Sequence, residues 1–148
     1  MATFESDIDH ILRIHVDLDE DTETIPAIRT VIGQYSNAEA FKYASNSPGA
    51  EYLVTLFVKA GMRDFDINWL VDRLDGDNED RVFEAAVALA ILNDNRGLDE
   101  LIKFAHGWGP WEKSNVARID IIDELKYFPV EYALRLKKEI EQAQNEDK

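Results

Sequence analysis

The chain contains no cysteine, and this absence removes several classes of protein at once. Disulfide-stabilised secreted scaffolds, thiolate catalysis and Cys-ligated metal sites all require cysteine side chains. A protein of a reducing compartment is the simplest interpretation of this composition.

The sequence also lacks a secretory signal and a membrane-spanning run. Its first ten residues, MATFESDIDH, are acidic, whereas a signal peptide begins with a basic segment followed by an apolar one. No apolar stretch approaches the roughly 20 residues that cross a bilayer. We therefore expect a soluble, cytoplasmic protein.

Basic residues are scarce, since 16 Lys and Arg face 30 Asp and Glu and give a formal net charge of −14. The acidic residues are concentrated in residues 1–24 and 64–100, which contain eight and eleven of them. Phosphate backbones and anionic lipids repel such a surface, so binding to nucleic acid or membranes is disfavoured and a basic protein is the expected partner. The alternative is that the charge only keeps a small protein soluble.

Apolar side chains are plentiful enough, at 45% of the 148 residues, for a single globular domain over residues 1–148. They recur at helical spacing. The pattern predicts N-terminal helices within 1–46, at 6–16 with Ser6 as N-cap, 25–35 after Thr24, and 38–44 after Asn37. Residues 12–18 also alternate as in a half-buried strand, which leaves a strand open there.

Helical hairpins are predicted over residues 47–145. The helices run from Ser47-Pro48 to Gly61, Asp66 to Gly76, Asn78 to Leu92, Gly97 to Ala105, Ser114 to Phe128, and Pro129 to Ile140, before a polar tail, 142–148. Pairs therefore start near residues 48, 79 and 114, which is the period expected of stacked helical hairpins.

One hairpin resembles a known repeat. Residues 81–104, RVFEAAVALAILNDNRGLDELIKF, are similar to the HEAT repeat of phycobilin-lyase-type proteins. The matching positions are Arg81, Ala85, Ala86, Ala88, Leu89, Leu92, Asp94, Arg96, Leu98, Leu101 and Ile102.

This resemblance implies an all-α fold, a HEAT-like stack of about three hairpins (a short α-solenoid) with N-terminal capping helices, that binds other macromolecules. Within the pattern, Ala85 and Ala86 would let neighbouring helices approach closely. An Asp94–Arg96 pair would join adjacent hairpins.

Motifs for chemistry are weak. The acidic run from Asp17 has the composition of a calcium loop, but Thr22 and Ile28 stand where such a loop needs Gly and Glu. His10 and His15 are five residues apart and cannot share the helix face of a zinc pair. Without a nucleophile elbow or a Gly-rich phosphate loop, we expect neither an enzyme nor a metal or other cofactor.

Two tryptophans, Trp108 and Trp111, lie in one loop between predicted hairpins. Tryptophan is a preferred anchor of protein interfaces. The alternative is that both indoles fold back and close the core, because tryptophan is usually largely buried.

The combination of small size, acidity, all-helical pattern and missing catalytic motifs resembles bacterial immunity proteins for nuclease toxins. That resemblance implies a module that binds and occludes a basic toxin domain. A nucleic-acid mimic that inhibits a DNA-handling enzyme and a HEAT-like adaptor are the alternatives. The predicted partner-binding residues are Asp72, Asp75, Asp77, Glu79, Asp80, Glu84, Trp108 and Trp111.

Overall fold

A computed structural model describes residues 2–14 and 19–146, and within these ranges the chain is all-helical with no strand, as predicted. Its helices are α1 (Phe4–Ile14), α2 (Ile25–Gln34), α3 (Asn37–Ser45), α4 (Ala50–Lys59), α5 (Asn68–Arg73), α6 (Glu79–Ile91), α7 (Asn95–His106), α8 (Arg118–Ile122) and α9 (Val130–Glu146). The HEAT-like stacking of these helices stays a prediction.

The chain forms two compact units, Met1–Asp66 and Ile67–Lys148. The first unit contains α1 to α4 and the second contains α5 to α9. The single domain over residues 1–148, with hairpins from residue 47, stays a prediction. No helix in the described ranges combines the length and apolar character that a bilayer crossing requires.

The first helix begins earlier than predicted. Thr3 is its cap, because the Ser6 N–H donates to the Thr3 hydroxyl at 3.0 Å while the Thr3 N–H donates to the Ser6 hydroxyl at 2.9 Å. Ser6 therefore occupies the reciprocal position of a capping box and is not the N-cap. Helix α1 ends at Ile14, and residues 15–18, which hold most of the strand alternative, lie outside the described residues.

The caps of the next two helices also differ from prediction. Thr24 makes no side-chain cap bond to α2, because it ends a π-helical turn, Glu20–Thr24, that leads directly into that helix. For α3 the cap is Ser36, whose hydroxyl accepts from the Glu39 N–H at 3.1 Å. Sequence periodicity does not resolve such one-residue differences at helix ends.

Aromatic rings form part of the core of the first unit. Phe4 lies edge-on to Tyr43 and Phe57, with ring centroids 5.8 and 6.2 Å apart. The Tyr43 hydroxyl bonds the Asp9 carboxylate, and burial, ahead of this bond, raises the pKa of Tyr43 to about 12. Tyr52 of α4 is exposed, and its hydroxyl donates to the Glu20 carboxylate at 3.0 Å.

In the second unit, α6 and α7 form the hairpin that the repeat pattern covers. Asn78 caps α6, as predicted, by accepting from the Arg81 N–H at 3.2 Å. Asp94 caps α7 and also pairs with the Arg96 guanidinium at 2.6 Å, so this pair closes its own turn and is not seen joining hairpins. The Tyr132 hydroxyl of α9 donates to Asn95 at 2.8 Å and ties α9 to the start of α7.

The other predicted helices of this unit need correction. Helix α5 begins at Asn68 with Ile67 at its N-cap position, whereas the predicted helix begins at Asp66. The predicted helix from Ser114 to Phe128 is only the five-residue α8 followed by a 3-10 turn, Leu125–Tyr127. The predicted polar tail is helical up to Glu146.

Candidate protein-binding surface

A groove in the second unit is lined by acidic side chains from α6 and from α8 with the residues around it. Its volume is about 300 Å³, and the side chains along it include Phe83 and Val116. Among the described residues that line it, none is Lys or Arg. We call it the acidic groove, and its carboxylates belong to Asp80, Glu84, Asp120, Asp123 and Glu124.

Local helix geometry explains why the acids of each wall of the groove lie together. Asp80 and Glu84 are four residues apart on α6, and Asp120 and Asp123 are three apart in the α8 region, so each pair shares a helix face. The Asp120 carboxylate also accepts from the Ala117 N–H at 2.8 Å, which fixes the start of α8. The groove therefore combines two acidic faces that are distant in sequence.

Glu79 has a structural task beside the groove. Its carboxylate accepts from the Asn115 N–H at 3.0 and 3.2 Å, which ties the start of α6 to the segment before α8. Hydrogen bonds from Ser114, and next from the Asn115 backbone, hold the pKa of the Glu79 carboxyl below its ordinary value. Glu79 thus positions one wall of the groove, and its carboxylate is already hydrogen-bonded within the protein.

Only some of the other acids predicted to bind a partner line the groove. Asp80 and Glu84 line the groove, whereas Asp72, Asp75 and Asp77 lie exposed on α5 and the loop after it, outside the groove lining. The sequence prediction missed the acids of the α8 region. The i, i+3 spacing of Asp120 and Asp123 was a usable sign, but nothing local in the sequence brings them to α6.

Helix α8 also exposes apolar surface. Ile119 and Ile122 have the spacing of a core stripe but are 56% and 41% exposed, whereas Ile121 is buried. The two exposed isoleucines are three residues apart and share a face of the helix, and Asp123, four residues after Ile119, lies on the same side. Apolar side chains bordered by charge are characteristic of protein-binding surfaces.

Trp111 belongs to the core, so its prediction as a surface anchor is corrected in favour of the core alternative. It is 5% exposed and stacks on Phe104 with ring centroids 4.4 Å apart. Its indole N–H donates to the Glu100 carboxylate at 2.6 Å. A buried indole satisfied in this way packs the second unit and is not available to a partner.

Trp108 is on the surface, 52% exposed, as an interface anchor would be. One face of its indole lies on the His106 imidazole, with centroids 4.1 Å apart and planes inclined by 10°. One tryptophan of this loop is therefore on the surface and the other is buried. Their separation of three residues in the sequence does not predict this difference.

No group of three or more His, Asp or Glu side chains in the described part of the chain is arranged to hold a metal ion. The chain matches no protein-family model, no curated protein and no solved structure.

Proposed function

We propose that this protein is an acidic protein-binding module, and specifically an immunity protein that binds and occludes a basic nuclease toxin. The observation that carries the proposal is the acidic groove, together with the exposed isoleucines of α8 that are neighbours in sequence of its acids Asp120 and Asp123. A HEAT-like arrangement of the hairpins belongs to the same proposal.

The charge of the groove suits the surface of a nuclease. Enzymes that hold nucleic acid present Lys and Arg to the phosphates. The exposed carboxylates of Asp80 and Asp123 would pair with such side chains, and the other acids of the groove would add to the negative charge around them. The wider charge of −14 would speed the encounter of the two proteins, and salt would slow it.

Apolar contact would supply the slow dissociation that effective inhibition needs. Desolvated apolar anchors near the centre of an interface set its dissociation rate more than rim charges do. Ile119 and Ile122 are exposed on α8 and supply this kind of surface. The module would therefore combine fast, salt-sensitive association with slow release.

The test compares two double charge reversals that change the net charge equally. Asp80→Lys with Asp123→Lys alters the groove, while Asp72→Lys with Asp75→Lys alters exposed acids outside it. The partner is the basic protein that co-purifies from the native host at low salt. We expect the groove pair to weaken binding about 100-fold and the control pair by less than about fivefold.

Circular dichroism and thermal unfolding must show that both variants fold. Equal, small effects of the two pairs on affinity and on inhibition of the partner would mean that the acids serve solubility only. The groove would then have no part in binding.

A further inference from the structure

The exposed indole of Trp108 is held in one orientation before any partner arrives. Its inner face is covered by His106, whose side chain is only 2% exposed. The backbone N–H of Trp108 donates to the Lys103 carbonyl at 3.0 Å, and the Trp108 carbonyl accepts from the backbone N–H of Trp111 at 3.2 Å. The outer face of the ring therefore remains available to a ligand.

Two glycines fix the loop that carries this indole. Gly107 and Gly109 have φ values of +68° and +62°, a backbone conformation that favours glycine. Because Trp111 anchors the far end of the loop in the core, a partner that binds Trp108 would not have to order the loop first. Such preorganisation is what an interface anchor requires.

Carboxylates lie at the edge of the imidazole beneath the indole. Nε2 of His106 is 3.5 Å from Oε2 of Glu139, and Nδ1 is 3.6 Å from Oε2 of Glu146. Glu139 also lies 3.9 Å from Nε of Arg135 on the same helix. The Glu146 side chain is 65% exposed, so its carboxylate can rotate towards a ligand on the indole.

An aromatic face and an exposed carboxylate that both contact the same imidazole fit a particular kind of ligand. The guanidinium of arginine is planar and cationic, stacks on indole rings and donates several hydrogen bonds to carboxylates. An ammonium group donates but does not stack, and an anion would be repelled by Glu146. The chemistry of the site therefore favours arginine over lysine.

We propose that Trp108 and Glu146 form an arginine-binding site for a partner protein. A partner guanidinium stacks on the outer face of the Trp108 indole and donates to the Glu146 carboxylate. This inference rests on the proposed function in one respect, since it takes the partner to be basic, but it assigns a second point of contact and a preferred side chain.

The experiment follows the indole N–H signals of the full-length protein by NMR during titration with hexaarginine or hexalysine. The chain has three tryptophans, so each signal can be assigned with single Trp→Phe variants. We expect a saturable shift of the Trp108 signal and at least about twofold tighter binding of hexaarginine than of hexalysine. The Trp111 signal should not move, because its N–H is bonded to Glu100 in the core.

Variants distinguish binding at Trp108 and Glu146 from the general attraction of a cationic peptide to an acidic protein. Trp108→Leu should abolish the preference for arginine, while Trp108→Phe, which keeps an aromatic face, should retain part of it. Glu146→Gln should weaken hexaarginine binding more than Glu141→Gln, which removes the same charge from an exposed position of the same helix. Equal binding of the two peptides to the unaltered protein, or an unmoved Trp108 signal, would overturn the proposal.

The outcome also distinguishes this site from the proposed function. If the co-purifying basic partner binds Trp108→Leu as tightly as the unaltered protein while the groove reversals abolish binding, the arginine site alone is wrong. If no basic protein co-purifies from the native host and hexaarginine does not bind the unaltered protein, the proposed function is wrong as well.

Discussion

Gly97 of α7 lies so close to Ala86 of α6 that a Cβ atom at position 97 would be 2.5 Å from the Ala86 carbonyl oxygen. The same atom would be 2.6 Å from the backbone nitrogen of Ala90. Real Cβ atoms are not found at such distances from backbone, so only glycine permits this approach of the two helices. The packing of α6 against α7 therefore requires a residue without a Cβ atom at position 97.

Gly97→Ala should destabilise the protein by about 1–3 kcal/mol, because the two helix backbones must move apart. The control is Gly33→Ala, since a Cβ at Gly33 meets nothing within 4 Å. Alanine is the better helix former, so this control should be neutral or stabilising by up to about 1 kcal/mol. Urea unfolding measures both, and a Gly97→Ala variant as stable as the control would contradict the close packing of α6 and α7.

The cap of α7 gives a second prediction. Asp94 accepts from the Arg96 N–H at 3.0 Å and also pairs with the Arg96 guanidinium. Asp94→Ala should cost about 1 kcal/mol of unfolding free energy, whereas Asp94→Asn, which can still cap, should cost less. Thermal unfolding of the two variants tests the order, and equal losses would show that the cap contributes nothing beyond the ion pair.

The lowered pKa of Glu79 predicts how stability depends on pH. A carboxyl with a depressed pKa in the folded state stabilises the protein above its unfolded pKa, and this contribution is lost as pH falls through the folded pKa. Glu79→Gln should therefore be less stable than the unaltered protein at pH 7, with the difference shrinking below about pH 4.

Asp77→Asn, at an exposed position two residues away, is the control for that series. Denaturant unfolding between pH 2 and 7 gives the comparison. A Glu79→Gln difference that stays constant across this range would mean that the bonds to Ser114 and Asn115 do not favour the ionised carboxyl.

Substitution should change stability much more at Trp111 than at Trp108. Trp111→Phe leaves the largely buried Glu100 carboxylate without its 2.6 Å bond and leaves a gap against Phe104, so it should cost about 2 kcal/mol. Trp108→Leu should change stability by less than about 1 kcal/mol because that indole is half exposed. Chemical denaturation checks this, and a reversed order would contradict their placement.

The sequence pattern predicts the helices correctly where they are long and regularly apolar. It predicted the all-α class, the α6–α7 hairpin and the cap at Asn78, because each depends on residues close together in the chain. It missed the length of α8, since Ile119 and Ile122 keep the spacing of a core stripe although they face outwards. Periodicity shows which residues share a face and does not show what that face meets.

The candidate site was less accessible to sequence reasoning. Asp80 and Glu84 were predicted, but Asp120, Asp123 and Glu124 join them only through the folding of the second unit. The division of roles between Trp108 and Trp111 depends on backbone geometry at Gly107 and Gly109. Long-range contacts of this kind leave no periodic trace in one sequence.

The most direct test of the central proposal is to isolate the tagged protein from its native host at low salt and assay what co-purifies for nuclease activity. Repeating the isolation at about 0.5 M salt, where the Debye length is below about 5 Å, measures the electrostatic share of binding. The account predicts one small basic domain, weakened by salt, that cleaves nucleic acid only after release from this protein. A multi-subunit assembly that is indifferent to salt and has no such activity would contradict it.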